Sequence, residues 1–158
     1  HGGAEYVNAV DVSELAVAQA RKNAQLNELD GKMDFTAANV FDLLPQLEAA
    51  HGRTYDFIVL DPPAFTKAHA NMASACRGYK EIALSAMRLL PAGGVLATHS
   101  CSYHMPEEVF VNTVLSAAQD LHRQVRVITL RRQDIDHPVL AGYPESHYLK
   151  SLWLQMLD

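Results

Sequence analysis

Long apolar runs, cysteine and positive charge are what this sequence has least of. No stretch approaches the roughly 20 apolar residues that a membrane-spanning helix needs, so no membrane is expected among its partners. Two cysteines, Cys76 and Cys101, cannot staple a disulfide scaffold, and an oxidising compartment is not indicated. Lys and Arg number 13 against 18 Asp and Glu, a net charge of −5. A phosphate backbone is gripped by a basic surface, so the chain by itself is a poor nucleic-acid clamp. There are 8 histidines, but none falls in a metal-ligand spacing with a third ligand, and no metal is expected. Repeats and low-complexity stretches are absent as well, which excludes fibrous and disordered classes. What is there is a globular balance, 49% hydrophobic and 20% charged over 158 residues. That is a single domain in size, able to bury roughly two-thirds of its unfolded surface. It begins at His1 with no signal peptide before the first element, and reads as a piece of something longer.

Along the chain, strand and helix patterns alternate. Val7 to Val12 is a short apolar run followed by Ser13, a helix N-cap residue. Glu14 to Leu29 reads as a helix with Leu15, Val17, Ala18, Ala20 and Ala24 on one stripe, stopped by Asp30-Gly31. Met33 to Ala38 reads as a second strand and Leu43 to Ala50 as a short helix. Tyr55 to Leu60 is the clearest strand, apolar enough to be covered on both faces, and it ends at Asp61-Pro62-Pro63. Tyr79, Ile82, Ala83, Ala86, Met87 and Leu90 recur at helical spacing. After the turn Pro91-Ala92-Gly93-Gly94 comes a strand, Val95 to Ser100. A helix with Pro106 in its first position follows, with Phe110, Val114, Ala117 and Leu121 facing inward. Val125 to Leu130 and Leu149 to Leu157 are two final strands, the last antiparallel. This order predicts an α/β domain with a mostly parallel sheet.

Ligands of open α/β sheets bind beyond the carboxyl ends of the strands, so the polar residues just past each run matter most. Asp11 suits the two hydroxyls of a ribose, or equally a helix cap. Asn39, or the backbone at Val40, can read an adenine edge, or simply make a turn. Asp61-Pro62-Pro63-Ala64-Phe65 holds a carboxylate on a stiff backbone, with Phe65 available for stacking on a planar heterocycle. Cys101, in Ser100-Cys101-Ser102, lies where a strand surfaces. If its strand neighbours the one ending at Asp61, thiol and carboxyl lie roughly 5–10 Å apart, a nucleophilic constellation for one planar ring. His104 can tune that thiol or move a proton, or be an ordinary loop histidine. Cys76 has no such setting and reads as structural.

Taken in order, these motifs resemble those of class I S-adenosylmethionine-dependent methyltransferases. More narrowly, DPPAF followed by SCSYHM and a terminal DHP…GYPESHYLK is similar to the bacterial large-subunit ribosomal RNA cytosine-C5 methyltransferases. The resemblance covers essentially the whole chain. It implies a Rossmann-like sheet closing on an antiparallel hairpin, S-adenosylmethionine as cofactor, large-subunit ribosomal RNA as partner, and a cytoplasmic enzyme. Asp11 and Val12 would hold the cofactor ribose, and Asn39 and Val40 the adenine. Asp61 would line both the cofactor and base pockets. Pro62, Pro63, Phe65 and His104 would lie against the base. Cys101 would add to cytosine C6, making C5 a carbon nucleophile for the sulfonium methyl, with Asp61 stabilising N3.

Two features depart from the family. The Asp-Pro-Pro segment has no second cysteine, which leaves the base for the C5 proton unassigned. The class I strand order 3-2-1-4-5-7-6 also lacks its strand 1 and glycine-rich loop here. His1-Gly2-Gly3-Ala4 reads as the end of the helix that should follow that loop. The sequence therefore predicts one partial domain over 1–158, impaired in activity and weak in cofactor binding when alone. The gap is to be closed either by the strands ending at Asp11 and Asp61 meeting directly, or by a second copy in a homodimer or strand-swapped assembly. Two other readings stand beside it: an exocyclic-amine methyltransferase acting on adenine or guanine, which needs no thiol, and a non-catalytic folded fragment.

Overall fold

A computed structural model of the chain describes residues 2–65 and 71–158, with the side chain of residue 51 also left aside. The Cα positions divide into two compact units, residues 1–46 and 47–158. Ten elements carry the fold, in the predicted alternation.

The first unit holds β1 (Val7–Asp11), α1 (Glu14–Leu26) and β2 (Met33–Ala37). β1 and β2 pair in parallel, from Val7 opposite Met33 to Asp11 opposite Ala37. The Ser13 hydroxyl caps α1 by accepting from the Ala16 N–H at 3.3 Å. The helix ends three residues before the predicted Leu29. Leu29 N–H reaches back to the Ala24 carbonyl and Glu28 N–H to that of Gln25, a Schellman closure with Glu28 at φ 57°. Glycine is usual at that place, so a sequence reading waits for Gly31. Gly2 to Tyr6 form no helix, against the expectation for the first residues, and His1 lies outside the described residues.

Helix α2 (Val40–His51) runs across the boundary between the units. It starts three residues before the predicted Leu43 because Asn39 caps it. The Asn39 side-chain oxygen accepts from the Phe41 N–H at 3.1 Å, and its carbonyl accepts from Asp42 and Leu43.

The second unit contains β3 (Phe57–Leu60), α3 (Met72–Arg88), β4 (Val95–Ser100), α4 (Glu107–Asp120), β5 (Val125–Arg131) and β6 (Lys150–Met156). The strand order is β3-β4-β6-β5, with β3 parallel to β4 and β6 antiparallel to both its neighbours. With β2-β1 in its own sheet, these are the 3-2 and 4-5-7-6 stretches of the order that the resemblance implies, without strand 1. β1 and β3 belong to different sheets.

One face of the larger sheet is core. Leu60, Leu96, Leu152 and Leu154 are buried there with Ile82, Ala83, Ala86 and Met87 of α3 and Phe110, Val114 and Ala117 of α4. The expectation that β3 is covered on both faces fails. Phe57 and Val59 are 46% and 58% exposed, and Phe57 is met edge-on by Trp153 at 5.5 Å. Pro106 is the N-cap of α4 with extended backbone (ψ 144°), one position before the first helical residue. The α3–β4 turn needs its glycines: Gly93 has φ 85°, and a Cβ on Gly94 would lie 3.0 Å from the Pro91 carbonyl. Arg123 donates to the Met87 and Leu90 carbonyls at the C-terminus of α3, both at 2.7 Å.

Leu154 sits fully buried on the central antiparallel strand. Leu154→Ala is expected to lower the unfolding free energy by about 2–5 kcal/mol, the cost of a large-to-small core change. Val59→Ala, on the open face, is expected to cost well under about 1.5 kcal/mol. Urea titration followed by circular dichroism measures both.

Candidate active site

The predicted site residues fall at strand ends in each unit. In the first, Asp11 closes β1 and its backbone carbonyl accepts from the Ala38 N–H at 3.0 Å, so Asp11 and Asn39 stand at the same end of neighbouring strands. One Asp11 carboxylate oxygen accepts from the Ser13 N–H at 2.7 Å, which fixes how the carboxylate leaves the sheet. Val12 beside it is 76% exposed. Asn39 spends its side-chain oxygen on the α2 cap, leaving its amide nitrogen as the group facing outward chemistry. A carboxylate, an exposed apolar side chain and an amide donor fit the adenosine half of a nucleoside cofactor. Among the described residues no glycine-rich strand-to-helix loop accompanies them.

In the second unit β3 and β4 are parallel neighbours, Leu60 opposite Thr98, so Asp61 and Cys101 emerge at one sheet end. Both are exposed. Pro62 is half-buried and Pro63 exposed. Phe65 turns inward: its ring meets Tyr79 edge-on at 4.7 Å and covers Gly78, where a Cβ would lie 3.2 Å from it. His104 is half-buried, its ring edge-on to Tyr103 at 5.5 Å, in the turn closed by Met105 N–H donating to the Ser102 carbonyl.

Beneath these groups lies Tyr79, which the sequence assigns only to the helical core. Its buried hydroxyl shares a hydrogen bond of 2.9 Å with Ser100 Oγ and accepts from the Phe65 N–H. Burial raises its pKa, Ser100 opposes that rise, and the charges of Cys101 and Asp61 add to it. Both predicted chemical groups are thus felt at one phenol. Burial lowers the pKa of His99, while the Asp61 carboxylate pulls it the other way.

Lys150 is the second residue that sequence reading passed over. It begins β6 opposite Ser100 and is 3% exposed, and its ammonium donates to the Ser102 and Tyr148 carbonyls. Burial holds its pKa down at about 8, against the opposing pull of Cys101 and Glu107. Glu107 is held by Arg132 at 3.0 Å, which keeps its carboxyl below the usual range. A lysine opening an apolar strand looks like a solvated strand end. Only the placement of β6 between β4 and β5 buries it.

A family model described as the methyltransferase small domain matches residues 1–129. Ribosomal RNA large subunit methyltransferase I of Aeromonas salmonicida is 45% identical over 152 residues, which are 96% of this chain and 38% of that protein. The protein of the same name from Shewanella frigidimarina is 44% identical over 151 residues, 95% of this chain and 38% of its own. The chain thus spans well under half the length of the curated relatives it matches. Among solved structures, a Streptococcus mutans protein assigned as a SAM-dependent methyltransferase aligns with TM-score 0.82 at 21% identity, over 98% of this chain and 39% of that one. A methyltransferase complexed with SAH gives TM-score 0.83 at 21% identity, over 98% and 40%. These two share the fold. No helix among the described residues is long and apolar enough to cross a membrane, and no group of three or more His, Cys, Asp or Glu there could hold a metal ion.

The buried amine has a signature in stability. Below about pH 8 it is charged in both folded and unfolded chains, and its burial weighs against folding. Between about 8 and its ordinary 10.5 the unfolded chain holds more protons, so stability rises with pH. Relative to Lys150→Met, the native chain is expected to gain stability across that window, measured by denaturant unfolding at several pH values. Parallel pH curves for the two proteins would contradict this.

Proposed function

The chain belongs to the methyltransferase small domain family, and from that premise we propose that it carries the catalytic part of an enzyme that methylates C5 of a cytosine in large-subunit ribosomal RNA. The observation that supports this most is the emergence of Asp61 and Cys101 from adjacent parallel strands, both coupled to the Tyr79 hydroxyl. An acid and a thiol at one sheet end are what a C5 methylation needs and what an exocyclic-amine transfer does not. The likeness to ribosomal RNA large subunit methyltransferase I, at 45% identity, supports the same substrate class.

Asp11 and Val12 would bind the ribose of S-adenosylmethionine, and the Asn39 amide with the backbone at Val40 the adenine. When bound, that cofactor supplies the methyl group as an electrophilic sulfonium. Asp61, protonated or sharing a proton, would stabilise the charge that develops at the cytosine N3, against the rigid Pro62-Pro63 backbone. The Cys101 thiolate would add to C6, and the electron pair displaced to C5 would form the new carbon–methyl bond. Loss of the C5 proton to a base then restores the C5–C6 double bond and expels the thiolate. The base for that last proton transfer is unassigned; His104, on the turn after Cys101, or a water held by Asp61, would serve. In this reading residues 1–158 act as one partial methyltransferase domain in the cytoplasm. RNA affinity comes largely from elsewhere, because the chain's charge of −5 offers no basic grip.

The test inserts this chain into the Aeromonas salmonicida relative in place of that protein's matched stretch. With large-subunit RNA carrying 5-fluorocytosine, the chimera is expected to form a covalent adduct that denaturing electrophoresis resolves. Cys101→Ala is expected to abolish the adduct and to cut methyl transfer by roughly a thousandfold or more. Undiminished transfer by the Ala variant would sink the nucleophile and favour the exocyclic-amine reading.

A further inference from the structure

Cys101 is exposed, yet the residues on either side are among the best-buried polar groups of the chain: Ser100 at 0% and Ser102 at 4% exposure. Each is held by a buried side chain from a different element. Tyr79, on α3, meets the Ser100 hydroxyl at 2.9 Å, and Lys150, on β6, donates to the Ser102 carbonyl. The same phenol accepts from the Phe65 N–H, so the Asp-Pro-Pro segment and the cysteine turn hang on one oxygen. Phe65 and Phe110 clasp the Tyr79 ring edge-on at 4.7 and 5.3 Å, which leaves the hydroxyl little freedom to move.

We propose that Tyr79 and Lys150 are positioning residues that tie down the backbone on both sides of Cys101, so that the thiol is presented from a fixed turn. As a role within the reaction this rests on the reading above; as a statement about the turn it stands on the hydrogen bonds alone. The groups facing the Lys150 ammonium are Cys101 after β4 and Glu107 on α4. Glu107 is in turn paired with Arg132 and feels His147. Glu107 is thus largely answered by Arg132. No bond is made or broken by either residue; both act through Cys101.

The test needs no substrate. Iodoacetamide labelling resolved by peptide mass spectrometry compares Cys101 with Cys76 in one sample. At pH 7, Lys150→Met is expected to slow Cys101 by about fivefold with Cys76 unchanged, since the ammonium holds the Ser102 carbonyl next to the thiol. The native advantage is expected to close above about pH 8, where Lys150 loses its proton. Lys150→Arg, whose charge persists, is expected to keep Cys101 fast there. Tyr79→Phe is expected to speed amide exchange at residues 101–103 by roughly three- to tenfold, the worth of one buried hydrogen bond. Ser100→Ala should produce the same change, and the double variant no more than either alone. Equal Cys101 rates in native, Met and Arg proteins, or unchanged exchange in Tyr79→Phe, would overturn the proposal. Adduct formation by the chimera separates the two claims. If it traps RNA while labelling and exchange are indifferent to the variants, the clamp fails and the function stands. If the variants shift labelling and exchange but no adduct forms, the function fails and the clamp stands.

Discussion

Polar groups inside a protein must find partners, because an unpaired buried donor or acceptor costs about 1–3 kcal/mol. Among the described residues the buried polar side chains are Thr98, Ser100, Ser102, Lys150 and Ser151. All five lie at one end of the β4–β6 pair, where Ser100 faces Lys150 and His99 faces Ser151. Ser100 is met by Tyr79, the Ser102 carbonyl and the Lys150 ammonium by each other, and Ser151 by the Trp153 indole N–H at 2.9 Å. At the opposite end of the strands Leu96, Leu154 and Met156 are fully buried. One half of the sheet is thus held by area, which tolerates small shifts, and the other by hydrogen bonds, which do not. The chemical groups emerge from the half that cannot shift.

The two units differ in how much they bury. In the larger, α3 and α4 each present a continuous buried stripe to one sheet face. In the smaller, Ala24 is the one buried residue of α1, and both strands carry mostly exposed or half-buried side chains. Its geometry is set instead by capping: Ser13 on α1, the Schellman closure at Glu28 and Leu29, and Asn39 on α2. These local devices hold Asp11 and Asn39 in place through contacts within a few residues of sequence. At Cys101, by contrast, the partners come from 21 to 48 positions away.

That difference in range explains what the sequence could and could not disclose. The strand ends at Asp11, Asp61 and Cys101, the Ser13 cap and the buried faces of α3 and α4 all follow from patterns confined to one element, and the structure has them there. Misplaced boundaries trace to residues in less usual roles, such as Glu28 in a left-handed conformation and Asn39 capping a helix that contains Pro45. The openness of Phe57 and Val59 was hidden because an apolar run does not say what covers it. Tyr79 sits in an apolar stripe at helical spacing, so its ring is predictable and its hydroxyl is not. The partner Ser100 is set by how α3 lies against β4.

Lys150 sharpens the point, since its burial is unfavourable by itself. A leucine there would continue the apolar face of β6 and ask nothing of its surroundings, and replacing buried charges by apolar groups is often neutral or stabilising. The ammonium instead requires two backbone carbonyls, from Ser102 and Tyr148, and is still left easier to deprotonate than a solvated lysine. The Ser102 carbonyl it holds belongs to the residue after the thiol, and the ion pair at Glu107 and Arg132 closes the side away from it. An interaction that a well-packed hydrophobe could better in stability thus stands within one residue of the proposed nucleophile. Local violations of the rules for stable cores are expected where chemistry is done. Here the buried ammonium of β6 acts on the Ser102 carbonyl, two residues past the end of β4.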